Sequence, residues 1–380
     1  MRHGFYYLCP IRVNPRLSVA FFSHLPPLDL DYYFLQNSFC TTANAVFLKE
    51  IGMKKIIFAL VALCMVGALL GCSKKNGNKK RIGIAKIVQH VALDDVERGI
   101  MDVIQESGIE AEFDLQNANG DVNTAVQIAN KYKDERVDLA VGIATPIALA
   151  LANTIKDIPV VFGTVTDPVG AGLVTSLAHG EGNITGMSDA VPTVTHIAKF
   201  VQVAKIKTLG YIYTSNEANS ISSLNLVREG CDKAGIALVT QAITNSSEVK
   251  AAAEAIVDRV DGIYLTTDNT VFSALASLVQ VFEAAKKPIF SADVTGAKEG
   301  GILIASGFNY YKAGRATGEL CVEILNGKSP ADIPVRLMNK ASDSDLLLNL
   351  DNAALCGITF DNSVLLHANL IYANGTVTEK

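Results

Sequence analysis

The chain has 380 residues, 49% of them hydrophobic and 19% charged, with a formal net charge of -5. That balance is globular and the length exceeds one small core, so two lobes are expected. An acidic surplus with no run of Lys and Arg excludes a protein that grips nucleic acid by neutralising phosphates. The cysteines, Cys9, Cys40, Cys64, Cys72, Cys231, Cys321 and Cys356, form no CxxC and no Cys/His spacing of the zinc type, so neither a metal site, another cofactor, nor a disulfide framework is expected.

Residues 1–52 carry scattered aromatics and Pro26-Pro27 without a steady period. Met53-Lys54-Lys55 then opens a basic stretch, 56–70 is an uncharged apolar run, and Leu69-Leu70-Gly71-Cys72 closes it. That order is the layout of a secretory signal peptide, and the run is shorter than the roughly 20 residues a spanning helix needs. The tetrapeptide resembles the bacterial lipobox. The resemblance implies that Cys72 becomes lipidated and begins the mature protein, which is then anchored to the cell membrane facing the periplasm or the cell exterior. Because a signal peptide begins a chain, translation is expected to start at Met53, with 1–52 a misassigned start. The polar, cationic segment 72–80 reads as a tether. Six basic and three acidic residues precede Cys72, leaving 27 basic against 35 acidic after them.

From Arg81 onward short β-branched runs alternate with amphipathic stretches, the pattern of βαβ units and parallel sheets. Strands are predicted over 82–88, 111–115, 138–143 and 159–164, with helices over 93–107, 121–133 and 146–155 between them. The order repeats with strands over 208–213, 236–240, 262–266 and 288–292 and helices over 220–234, 247–260 and 271–285. Each half is expected to be a doubly wound parallel sheet of its own. A further strand over 302–306, a helix over 310–325 and short strands over 346–350 and 358–360 complete the reading. Residues 81–189 plus 295–326 are assigned to the first lobe and 190–294 plus 327–380 to the second. Three crossings near Asp189, Val294 and Ile333 would form a hinge that lets the lobes close on a ligand.

Ligands of open parallel sheets bind beyond the carboxyl ends of the strands, where helix N-termini present N–H groups. The turns there are rich in short polar residues: Gln89-His90, Ala144-Thr145-Pro146 and Thr164 to Pro168 in the first half, and Tyr213 to Asn216, Thr266 to Asn269 and Ser291 to Asp293 in the second. Two such facing rims suit a small zwitterion. Thr145 before Pro146 has the composition of a helix start where a carboxylate docks. Asp189, Asp268 and Asp293 lie where an ammonium acceptor would be. Each residue alone is equally at home in a turn or cap, and Tyr213, Phe162, Phe272 and Phe308 suit core or pocket wall alike.

At these turns the chain resembles the tryptophan/tyrosine ABC-transporter substrate-binding family, whose members have the type I periplasmic-binding-protein fold. The matching pieces are IGIAKIVQHVALDDVERGI, GIATPIALA, VFGTVTDPVGAGLV, GNITGMSD, LGYIYTSNEANS and YLTTDN, spanning about 81–308 in family order. The resemblance implies a small-molecule ligand, an aromatic amino acid, and an ABC importer permease as partner. It carries family contacts onto Gln89, Thr145, Thr166, Asp167, Ser188, Asp189, Asn219, Ser220, Asp268 and Asn269. The chain departs in having no Trp and a His90 in its first turn.

An α/β enzyme is the competing class. No GxSxG elbow, GxxxxGK[ST] or GxGxxG after the first strand is present, Gly180, Gly182 and Gly186 read as a surface turn, and a lone cleft histidine is a poor general base. A sensor ectodomain or a nucleoside or sugar receptor of the same fold is the other alternative.

Overall fold

The structure is a computed structural model that describes residues 79–338 and 343–380. The segment 1–52, the signal peptide over 53–71, Cys72 and the tether as far as residue 78 lie outside the described residues.

In the first lobe β1 (Lys80–Lys86), α1 (Val91–Glu106), β2 (Ala111–Asn117), α2 (Val122–Asp134), β3 (Leu139–Ile143), α3 (Thr145–Thr154), β4 (Val160–Gly163) and β5 (Ile184–Ser188) follow in turn. The strands pair in parallel in the order β5-β4-β3-β1-β2. LAVGI of β3 and VVFG of β4 are buried at every position, as strands covered by helices on both faces must be. On α1 the buried Leu93, Val96, Ile100, Val103 and Ile104 recur at helical spacing, which turns one apolar stripe to the sheet.

The second lobe holds α4 (Thr193–Ala204), β6 (Thr208–Thr214), α5 (Ala218–Ala234), β7 (Ala237–Ile243), α6 (Val249–Val257), β8 (Gly262–Leu265), α7 (Asn269–Ser273), α8 (Leu275–Ala284), β9 (Ile289–Ser291) and β10 (Ile304–Phe308). After α9 (Tyr310–Leu325) and β11 (Arg336–Leu337) come β12 (Ser344–Asn349), α10 (Leu350–Cys356), α11 (Asn362–His367), β13 (Leu370–Ala373) and β14 (Thr376–Glu379). The second sheet has the order β14-β13-β12-β10-β9-β8-β6-β7. Its β10-β9-β8-β6-β7 portion repeats the first sheet's β5-β4-β3-β1-β2.

That repeat corrects the tail assignment. Each half has five parallel strands, not four. The fifth strand of the first half, ITGMS over Ile184–Ser188, was hidden by its Thr, Gly and Ser. Gly186, expected in a surface turn, is buried there because β5 passes so close to β4 that a Cβ would stand 2.1 Å from the Phe162 carbonyl oxygen. The strand predicted over 302–306 is therefore the second half's fifth strand. It pairs with Phe290 and Ser291 in parallel and with β12 antiparallel, instead of returning to the first lobe.

The return comes at α9, whose Tyr310, Ala313, Leu320, Cys321 and Ile324 join the first lobe's core. Ile333 and Val335 join it too, and β11 pairs with β5. The chain thus re-enters the first lobe after Phe308, not near Val294, and leaves it after Leu337, not at Ile333. The strand expected over 358–360 falls in a connection between α10 and α11, while β13 and β14 form a hairpin around Asn374-Gly375. Antiparallel β12 and β14 make the second sheet mixed, where a purely parallel one was expected.

Candidate functional site

Strand order reverses between β1 and β3 in the first sheet and between β6 and β8 in the second, and such switch points are where doubly wound folds take ligands. The two open into one narrow cavity. From the first lobe His90, Thr145, Thr166 and Asp189 line it, and from the second Asn219, Asp268, Asn269 and Asp293. Thr164, Thr267, Tyr310, Leu93 and Phe272 complete the wall.

The first-lobe rim is built on two unusual backbone turns. Ala144, just before α3, has φ 81 and ψ 159, and Thr164, just after β4, has φ 51. Non-glycine residues in such conformations cost about 1 to 3 kcal/mol and persist only where the surroundings enforce them. The Ala144 N–H donates to the Gly163 carbonyl at 2.9 Å, tying the two strand ends together. The result brings the first turn of α3, whose leading N–H groups have no partner inside the helix, to the cavity wall beside Thr145.

On the second lobe the acidic residues divide by their partners. Asp268 caps α7 and accepts from the Thr214 N–H (2.7 Å), the Thr214 hydroxyl (2.7 Å), the Val271 N–H (3.0 Å) and the Ser220 hydroxyl. Four donors saturate a carboxylate, so Asp268 has no oxygen left for an ammonium. Glu217 stands behind the wall, accepting from the amides of Asn219 (3.2 Å) and Asn269 (2.6 Å) and from the Thr270 hydroxyl (2.6 Å). Burial, with the Asp268 charge adding to it, pushes its carboxyl up to about 7. Asn219 also donates to the Thr267 carbonyl at 3.1 Å, which spends its amide nitrogen and leaves its oxygen facing the cavity.

Asp189 differs. It is 2% exposed, its Oδ2 accepts from the Tyr310 hydroxyl at 3.2 Å, and its Oδ1 has no partner. Burial pushes its carboxyl up to about 6. Asp293 is also pushed up to about 6 by burial, with the charge of Asp189 adding to the effect. Its Oδ1 accepts from the Thr295 N–H at 2.7 Å and from the Thr295 hydroxyl. His90 is held down to about 4 by burial and is neutral at physiological pH. Among the described residues, no Lys or Arg lines the cavity to balance the acids.

Among the described residues, the buried side-chain atoms left without a hydrogen-bond partner are His90 Nε2, Thr164 Oγ1, Asp189 Oδ1 and Asn219 Oδ1. All four line this cavity. Buried polar atoms are almost always paired, so four orphans converging on one space mark a site whose partners a ligand supplies.

The remaining expected residues hold the cleft shut or buttress it. Thr166 and Thr267 bring their hydroxyls to 3.0 Å from opposite lobes, and Ser222 of α5 donates across the gap to Asp167. Asp167 Oδ1 accepts from the Gly170 N–H at 2.8 Å. Ser188 donates to the Thr166 carbonyl at 3.2 Å, Ser220 is spent on Asp268, and Gln89 is exposed outside the cavity lining. Of the ambiguous aromatics Phe272 is wall, whereas Phe162 is core and Tyr213 stacks on Tyr211. Thr164 and Thr267 belong to the polar turns expected at the rims, whereas Glu217, Tyr310 and Leu93 were not singled out from the sequence.

The profile of the ABC transporter substrate binding protein family matches residues 81–371. The chain belongs to that family. This substrate-binding protein is 33% identical over 318 residues to a tyrosine-binding protein of Clostridioides difficile (strain R20291), covering 78% of this chain and 91% of that one. It is similar to the structure of an ABC domain in complex with L-Trp from Streptococcus pneumonia, at 32% identity and a TM-score of 0.73, covering 77% of this chain and 99% of that one. A ligand-free, open structure of a substrate binding protein with adhesive properties from Clostridium difficile matches at 35% identity over 74% of this chain and 96% of that one, but with a TM-score of only 0.57. At nearly equal identity the backbone as a whole is thus more similar to that of the L-Trp complex.

Proposed function

We propose that this substrate-binding protein is a lipid-anchored, extracytoplasmic receptor that delivers an aromatic amino acid to an ABC importer permease. The observation that carries the ligand class is the Asp189 carboxylate, buried with one oxygen unpartnered beside Asp293 in a cavity without a cation. An ammonium group supplies the missing charge and donors, since charge-assisted hydrogen bonds are the strong ones. The solute's carboxylate docks at the first turn of α3 beside Thr145, where helix N–H groups favour an anion. Leu93, Phe272 and Tyr310 give the ring an apolar surface. The tyrosine-binding and L-Trp-bound relatives support the aromatic choice. Calorimetry of the form beginning at Ser73 against tyrosine, tryptophan, nucleosides and sugars tests the reading. Binding of a sugar or nucleoside with no amino acid binding would overturn it.

Closure is set by the hydroxyl contacts between the lobes. A single side-chain hydrogen bond contributes about 0.5 to 1.5 kcal/mol, so Ser222→Ala combined with Thr267→Val, which removes two, should weaken tyrosine binding by roughly fivefold to 150-fold. The same variant should enlarge the ligand-free radius of gyration in small-angle scattering. An unchanged radius and affinity would show that these contacts do not govern closure.

The anchor rests on the Lys54-Lys55, apolar run and Leu-Leu-Gly-Cys72 order. In a bacterial host, mass spectrometry of the membrane fraction should find the mature chain starting at a lipidated Cys72, and Cys72→Ala should release or mislocalise it. An intact peptide spanning Gly71-Cys72 in the membrane-bound protein would refute this.

A further inference from the structure

A second chamber opens off the ligand cavity. It has a volume of about 450 Å³ and shares His90, Phe272 and Asp293 with the cavity. The His90 and Phe272 rings stand 6.2 Å apart between centroids, one from each lobe, and form a collar between the two spaces. Val91 and Ala92 at the start of α1 make one wall; Leu275, Ala276 and Val279 of α8 with Tyr372 of β13 make the other. The loop at Gly300-Gly301 also lines the chamber. These glycines have φ of +100 and +71, and Cβ atoms would stand 2.9 Å from the Tyr372 hydroxyl and 2.2 Å from Val279 Cγ1. The loop can lie against this wall only without side chains.

Two properties of the chamber define its occupant. Its volume of about 450 Å³ is itself in the size range of small-ligand sites, so it has room for more than the ring of a free amino acid. Its walls are largely apolar, yet among the described residues that line it the charged ones are Asp293, Glu283 and Glu299, with no Lys or Arg. An anionic end would meet like charge, while an apolar group with a neutral or cationic end would not.

We propose that the chamber receives the outer part of an amino-acid solute whose side chain continues beyond a single ring and ends in a neutral or cationic group. The protein then takes extended aryl amino acids as well as free tyrosine or tryptophan. This rests on the amino-acid reading of the cavity: the head group stays on Asp189 and the side chain passes the His90–Phe272 collar.

Calorimetry with L-tyrosine, O-benzyl-L-tyrosine and the benzyl ether bearing a para-carboxylate separates the possibilities. The benzyl ether should bind within tenfold of tyrosine, and the carboxylate analogue at least tenfold more weakly than the benzyl ether. Ala276→Trp should weaken the benzyl ether at least tenfold and change tyrosine less than twofold. Glu283→Gln with Glu299→Gln should recover most of the loss seen with the carboxylate analogue. If tyrosine binds and the benzyl ether does not, the chamber assignment is wrong and the amino-acid reading stands. If Ala276→Trp affects both ligands equally, or neither, the benzyl group lies elsewhere and the assignment is again wrong. If no amino acid binds at all, the reading of the cavity fails, and the chamber assignment with it.

Discussion

Asp189→Asn should weaken binding of an aromatic amino acid by about thirtyfold to several-thousandfold, because an ammonium buried without its acceptor charge typically costs about 2 to 5 kcal/mol. The same substitution should raise the melting temperature of the ligand-free protein. In the folded state the Asp189 carboxyl is pushed by burial from 3.8 up to about 6. A carboxyl raised in this way favours the folded state fully below its unfolded value, and that contribution is lost as pH rises through about 6. At neutral pH the ionised group therefore costs on the order of 3 kcal/mol, which the neutral amide removes. The stabilisation should vanish below about pH 3, where the acid is protonated in both states. Asp268→Asn should behave oppositely. Its carboxylate binds Thr214, Ser220 and the first turn of α7, so its loss should lower the melting temperature, with any loss of affinity following from the loosened wall. If calorimetry finds both variants binding as tightly as the parent, the ammonium is not on either residue. If Asp268→Asn alone abolishes binding without lowering stability, the two roles have been assigned the wrong way round.

The contrast between these acids marks where sequence reasoning stops. All three aspartates follow strands, and that position is legible from apolar runs and turn residues. Which of them is saturated is not, because the donors to Asp268 come from Thr214 and Ser220, 54 and 48 residues away, and the Asp189 partner Tyr310 is 121 residues away. Glu217 reads as an ordinary acidic residue ahead of a helix, and only the packing of α5 against the β8 turn buries it. In the fold, the strands with unbroken apolar runs were legible. The β5 strand was not, because its Gly186 serves close packing against β4 at the expense of β propensity. Missing it left four strands in each half, made β10 look like an extra one and sent it to the wrong lobe. The closing hairpin, by contrast, carries a readable signal in Asn374-Gly375, whose φ values of 52 and 75 are those a tight hairpin turn requires.

Affinity for the amino acid should rise about tenfold between about pH 5 and pH 7 if one proton is displaced on binding, and about a hundredfold if two are. Asp189 and Asp293 both line the cavity, and burial pushes both up to about 6, so below that pH the free protein holds protons on them. An ammonium ligand binds the ionised form. The complex therefore carries fewer protons than the free protein, and binding must strengthen as pH rises until the free acids are themselves ionised. The groups around the pair set the window. Tyr310, on Asp189, is raised well above its usual range by burial and stays protonated throughout. His90 is held down to about 4 and stays neutral across it, so no imidazolium forms to compete with the ligand. Asp95 adds negative charge near Asp293 and works in the same direction as the pair. Glu217, pushed up to about 7, titrates nearby, but its oxygens are held by Asn219, Asn269 and Thr270 and do not line the cavity. Asp189→Asn should consequently flatten the rise by about one proton, and calorimetry in two buffers of different ionisation heat should show proton release near pH 5 in the parent and less in the variant. An affinity that stays level from pH 5 to pH 7 would mean that no raised carboxylate anchors the ligand, whatever the ligand is.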